Sequence, residues 1–189
     1  FYQFGYFLPR GPQGHVGMGM GTGIAAGKQE LIMPTLEIER TGQSVTIDGV
    51  ELVFHMAADT EAPAEFDIWI PHVKALLNSE TATATLHNVQ TLRGAKVRDA
   101  KAWASHLTEA LRLWGDKAEV LLTSHHWPRF GNDVIRAHLG HQRDGYKFIH
   151  DQTVRRMNLG QTPDEIAEGL QLPSALRQDW AMRGYYGTV

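Results

Sequence analysis

The sequence predicts an α/β chain up to about residue 131 that turns all-α beyond it, on three observations. Short runs of β-branched and aromatic residues bounded by turn residues fill residues 44–77. Asp48-Gly49 sits between two such runs, and a tight hairpin turn needs residues that tolerate positive φ. After Gly131 the apolar residues switch to helical spacing.

The opening, FYQFGYFLPRGPQGHVGMGMGTGIAAGKQE, is dense in glycine and aromatic residues and reads as irregular loop. SVTIDGVELVFHM reads as a β-hairpin. FDIWI (66–70) and VKALL (73–77) are two more strands, separated by Pro71. Asp99 is the N-cap of a helix with Trp103, Leu107, Ala110, Leu111 and Trp114 on one face, ended by Gly115. AEVLLTS follows as a strand leading to His125 and His126. Val134, Ile135, His138, Leu139, Gln142, Tyr146 and Ile149 keep helical spacing over a segment of about 25 residues. Thr162 caps a further helix with Pro163 in its first turn, and a short helix follows Pro173.

With 42% apolar and 21% charged residues the chain is of ordinary globular composition, long enough for a sizeable core. A net charge of -3 offers no electrostatic attraction for nucleic acid or an acidic membrane. No apolar run approaches the roughly 18 residues of a membrane span, and no signal peptide is visible, so compartment is left open. Without cysteine, a metal has only His, Asp and Glu to bind it, and there are ten histidines.

Gly17, Gly19 and Gly21, with Gly27-Lys28 behind them, invite a phosphate-loop reading. The pattern fails, because Thr22 and Gln29 stand where that loop needs Gly and Ser or Thr. A substrate-lining loop is the reading adopted. DTEAPAEF sets Glu61 and Glu65 around Pro63 after one strand, NSETAT sets Glu80 after another, and His125 follows a third. Strand ends gather at one edge of a layered α/β sheet. Two carboxylates and an imidazole there suit a divalent ion such as Zn²⁺ or Mn²⁺. On an extended backbone His125 and His126 would point to opposite faces, so only one can serve that site.

Arg93 and Arg98 stand five apart just before the Asp99-capped helix, and a guanidinium pair suits an oxyanion. His87 and Asn88, slightly upstream, add neutral donors. His138, His141 and His150 are read as helix-surface or core-edge residues, and Trp103, Trp114 and Trp127 as core or pocket wall.

LPRGPQGHVG, DTEAPAEF, LHNVQTLRGAKVRDAKAW, TSHHWPRFGN, HDQT and RGYYG, in this order, together resemble the linear alkyl sulfatases. These are metallo-β-lactamase-like hydrolases of the kind that act on sodium dodecyl sulfate. The resemblance covers essentially the whole chain. It implies the second half of a metallo-β-lactamase-like αββα sandwich over residues 1–131 and part of a helical dimerisation domain over 132–189. Glu61, Glu80 and His125 match metal ligands of a centre holding two Zn²⁺, so that His125 faces the metals and His126 turns away. Asn88, Arg93 and Arg98 match the sulfate-gripping stretch, and the partners implied are an alkyl sulfate substrate and a second copy of the chain.

The departures are as informative. No His-x-His-x-Asp-His motif occurs, so four of the seven ligands that the resemblance implies are absent. The lipid-carrier-like domain expected after RGYYG is absent too, and Glu80-Thr81 stands where the family has Glu-Asn. The expectation is a central fragment that alone binds metal poorly and is inactive. In the complete protein the activity implied is hydrolysis of alkyl sulfate esters to alcohol and sulfate. Trp127, Phe130 and the Phe4, Tyr6 and Phe7 cluster are candidates for an apolar channel. Two rivals stand: another hydrolase of the same fold, such as a phosphoesterase or lactonase, and a non-catalytic dimerisation or interaction fragment.

Overall fold

The structure is a computed structural model that describes Pro9, Gly11, Pro12, Gly27, Lys28, Val189 and residues 30–91 and 95–184. Arg93, the Gly17, Gly19 and Gly21 run, the Phe4, Tyr6 and Phe7 cluster and the tyrosines of RGYYG lie outside those residues. The chain divides into two compact units, Phe1–Glu37 and Ile38–Val189. Among the described residues the first unit carries no helix or strand.

The second unit holds a six-stranded sheet in the order β1 (Ser44–Ile47), β2 (Val50–Met56), β3 (Phe66–Ile70), β4 (Ala75–Leu77), β5 (Val120–Leu122) and β6 (Arg129–Phe130). Every pair is antiparallel except β4–β5, which is parallel. The β1–β2 turn is made by Asp48 and Gly49 with φ of 50° and 80°, the left-handed pair that a type I′ hairpin requires. VKALL is shorter as a strand than its sequence suggests. Pro71–Val73 forms a 3-10 turn and Lys74 takes φ 51°, so pairing begins only at Ala75.

Helix α1 (Ala100–Trp114) starts where Asp99 accepts hydrogen bonds from the amides of Lys101 and Ala102. Its Trp103, Leu107, Ala110 and Trp114 are buried. Helix α2 (Asn132–Asn158) packs along α1, burying Ile135, His138, Leu139, Gln142 and Tyr146. Trp103 and Tyr146 stack with ring centroids 4.4 Å apart. Leu76, Trp103, Leu121, Ile135 and Leu139 belong to one core, which therefore runs across residue 131. Helices α3 (Pro163–Gly169) and α4 (Ser174–Arg177) follow, the first with a reciprocal Thr162–Glu165 capping box. No helix among the described residues is long and apolar enough to cross a membrane.

Residues 81–86 are irregular yet buried throughout. Buried backbone groups outside regular structure need side-chain partners, and here both helices supply them. Trp103 Nε1–H donates to the carbonyl of Thr81 (2.7 Å), His138 Nε2–H to that of Ala82 (2.9 Å) and Gln142 Nε2–H to that of Thr83 (2.9 Å). The amide of His87 donates to the Tyr146 hydroxyl at 3.2 Å. The sequence reading of Trp103 and Trp114 as core holds, whereas Trp127 is 64% and Phe130 67% exposed. Trp127 instead lies beside Trp180, centroids 5.8 Å apart.

Candidate metal centre

Because β2 and β4 both run antiparallel to β3, and β5 runs parallel to β4, strands β2, β4 and β5 share one direction. The loops that follow them therefore leave the same sheet edge. Glu61 lies on the first, Glu80 on the second and His125 on the third. The last two loops are joined, since the amide of Ser124 donates to the Ser79 carbonyl at 2.8 Å.

Glu80 is the hub. One carboxylate oxygen accepts from His87 Nε2 at 2.9 Å and the other from His125 Nε2 at 2.5 Å. Its amide donates to Glu65 Oε1 at 3.2 Å. The His87 bond foremost, with that of His125, holds the Glu80 carboxyl below its ordinary range despite partial burial. Burial pushes Glu65 the other way, and the neighbouring carboxylates add to that.

Glu61 pairs with Arg98, whose Nη2 reaches its carboxylate while Nε donates to its carbonyl at 2.6 Å. Arg98 is only 6% exposed, and its Nη1 also donates to the carbonyl of Asn88 (3.0 Å) and to the Asn88 side-chain oxygen. With Nε, Nη1 and Nη2 all donating to these oxygens, the buried guanidinium is fixed in its plane beside Glu61.

Single donor atoms of Glu61, Glu80 and His87 fall within 4.8 Å of one another. Two carboxylates and an imidazole at that separation suit a divalent metal, with His125 linked to them through Glu80. His87 was read from sequence only as a neutral donor near Asn88. Its seven-residue separation from Glu80 carries no ligand signature, and the buried 81–86 segment is what folds it back onto Glu80.

His125 and His126 do not alternate as strand residues. Strand β5 stops at Leu122 and His125 has φ 70°, so a turn aims the two rings. His125 reaches Glu80, while His126 Nδ1 accepts from the amide of Ala84 at 3.4 Å. His138 and His141 also go separate ways, His138 into the core and His141 to Asp179. Arg93 lies outside the described residues.

No protein-family model matches the chain. Among curated proteins it is 46% identical over 188 residues to alkyl/aryl-sulfatase BDS1 of Saccharomyces cerevisiae, covering 100% of this chain and 29% of that protein. It is 46% identical over 188 residues to a linear primary-alkylsulfatase of Pseudomonas sp, covering 100% of this chain and 28% of that protein. Among solved structures it is similar to the stereoselective inverting sec-alkylsulfatase Pisa1 from Pseudomonas sp., with TM-score 0.94 and 40% identity over 99% of this chain and 30% of that one. The chain thus spans about three-tenths of the length of the relatives it matches. Over the whole of its own length, with a mixed α/β fold to match, this sequence is similar to one segment of the alkylsulfatases.

Proposed function

We propose that this chain forms part of the centre of a metal-dependent alkyl sulfatase, which hydrolyses alkyl sulfate esters such as dodecyl sulfate to alcohol and sulfate. The observation that carries this reading is the delivery of Glu61, Glu80 and His125 to one sheet edge by three strands of common direction, beside the buried Arg98. Two Zn²⁺ held by Glu61, Glu80 and His125, with further ligands from outside this sequence, would supply an acidified water as nucleophile or base near neutral pH.

The chain's own residues divide the remaining work. Glu80 would hold the ion through its carboxylate, and His87, hydrogen-bonded to that carboxylate at 2.9 Å, would orient it. Arg98, with Asn88 and Arg93, holds the sulfate oxygens and offsets charge that develops on the departing oxyanion. Residues 1–131 belong to the catalytic part. Residues 132–189 belong to a helical part through which two copies associate, and the exposed Val134, Val154 and Met157 on α2 support that assignment.

Elemental analysis of the full-length protein, beside Glu61→Ala and His125→Ala, tests this together with dodecyl sulfate hydrolysis. About two zinc per chain in the intact protein, reduced in both variants along with activity, is expected. Little metal in the intact protein would sink the metal-hydrolase reading, and hydrolysis of phosphate but not sulfate esters would transfer it to a phosphoesterase.

A further inference from the structure

A second set of ligand-type side chains lies between β2 and α1 and shares no residue with the centre described above. His55 is fully buried on β2, and His106 and Glu109 stand one turn apart on α1. Single donor atoms of the three fall within 4.8 Å of one another. We propose that His55, His106 and Glu109 form a binding site for one zinc-type divalent ion.

The first argument is the outer partner of each imidazole. His55 Nδ1–H donates to Asp67 at 2.9 Å, with both side chains fully buried. That bond turns Nε2 toward Glu109, whose oxygen lies 3.2 Å away. A carboxylate behind an imidazole that faces another donor is the usual outer arrangement of a metal-bound histidine. His106 is fixed likewise, since its Nε2–H donates to the carbonyl of Ala58 at 3.0 Å, which leaves the lone pair of the neutral ring on Nδ1. Neither ring depends on the ion for its orientation.

The second argument is spacing. A tetrahedral ion with bonds of about 2.0–2.1 Å holds its donors about 3.3 Å apart. The 3.2 Å from His55 to Glu109 matches that edge, and the His106 donor lies within 4.8 Å of both. Two imidazoles and one carboxylate, with a fourth position left for water, form a familiar zinc donor set.

The third is access. The Glu109 side chain is 38% exposed, so an ion can enter from the α1 surface. The other oxygen of Glu109 lies 3.8 Å from Arg112, a side chain 72% exposed that can swing away at little cost. Trp114 walls the inner side, its ring 6.0 Å from that of His55 and edge-on to it. The three side chains therefore have Trp114 behind them and the α1 surface in front.

Zinc itself is the probe. The full-length protein is titrated with zinc against a chromophoric chelator, beside His106→Gln, Glu109→Ala and Glu61→Gln, with circular dichroism to verify folding. His106→Gln and Glu109→Ala are each expected to lose one equivalent, or to bind it at least about 10–100-fold more weakly, the range seen when even an outer partner is removed. Glu61→Gln is expected to keep that equivalent while weakening the metals at the strand-end centre. Glu109 lies on the helix surface, so its variant remains informative if His106→Gln folds poorly. Unchanged stoichiometry and affinity in Glu109→Ala would overturn the proposal, leaving His55 as an imidazole held between two carboxylates. That result alongside metal loss in Glu61→Gln would leave the proposed function standing.

Discussion

Among the described residues, two histidine–carboxylate clusters with ligand-type spacing are built in opposite ways. Glu61, Glu80 and His125 stand on loops, and those loops pass through the left-handed region at Asp59 (φ 62°), Ser79 (φ 40°) and His125 (φ 70°). His55 and Asp67 are cross-strand partners in the β2–β3 ladder, and His106 and Glu109 lie one turn apart on α1. The second cluster inherits its geometry from regular hydrogen bonding. The first needs non-glycine residues at φ values that cost about 1–2 kcal/mol each, and the rest of the fold must supply that. Three of the five non-glycine residues at positive φ among the described residues stand on this edge, as expected of an edge that aims side chains for chemistry.

Single substitutions should separate the clusters most sharply. Asp67→Ala removes the buried partner of His55 Nδ1 and is expected to destabilise the fold by about 3–5 kcal/mol. Glu80→Ala, on a partly exposed loop, is expected to cost about 1–2 kcal/mol while removing metal from the strand-end centre. Denaturant unfolding of both variants reads the difference, and equal losses would erase the distinction.

The next effect tests what lies beneath the strained edge. Burial, and after it Arg129, pushes His138 down from 6.5 to about 4, with Asp179 and His141 as its other charged neighbours. The unfolded chain takes up a proton at this position below its ordinary value while the folded chain does not. Stability from this residue is thus complete above about pH 6.5 and falls as pH drops toward about 4, by up to about 3 kcal/mol. Urea unfolding at pH 7 and near pH 4.5 measures the fall. His138→Gln, which keeps a donor for Ala82, is expected to flatten it, and an unchanged slope in that variant would assign the acid sensitivity elsewhere.

The smallest effect concerns the opposite end of β4. Lys74 has φ 51° and is exposed. Lys74→Gly is expected to raise stability by about 1 kcal/mol with metal content unchanged. A loss of stability on thermal unfolding would mean that the lysine side chain outweighs the strain.

Much of this was legible before the fold was known. The Asp48-Gly49 turn, the Asp99 and Thr162 caps and the helical spacing from Val134 to Ile149 are local signals, and each became the element it announced. Glu61, Glu80 and His125 were legible as residues following apolar strands, because strand direction decides which edge a loop leaves. Less accessible was VKALL, where Pro71 and a left-handed Lys74 override an apolar run. The His125–His126 rings part as expected but for another reason, a turn at His125, since alternation applies only while the chain is extended. His87 was read as a donor and not as a Glu80 partner, and His55 was not singled out at all. One is recruited by a buried irregular segment and the other by a neighbouring strand and helix.

The sequence by itself determined the elements, the caps, the hairpin and the order of the chemical residues, because those depend on neighbours within a few positions. Tertiary structure decided which of the ten histidines meet carboxylates, and with which partners. It also decided that a segment with no regular structure, residues 81–86, is buried and carries Glu80 and His87 at its two ends. The physical reason is that the backbone groups of such a segment must find donors and acceptors. Trp103, His138, Gln142 and Tyr146, 22 to 59 positions away along the chain, provide them only once α1 and α2 have packed.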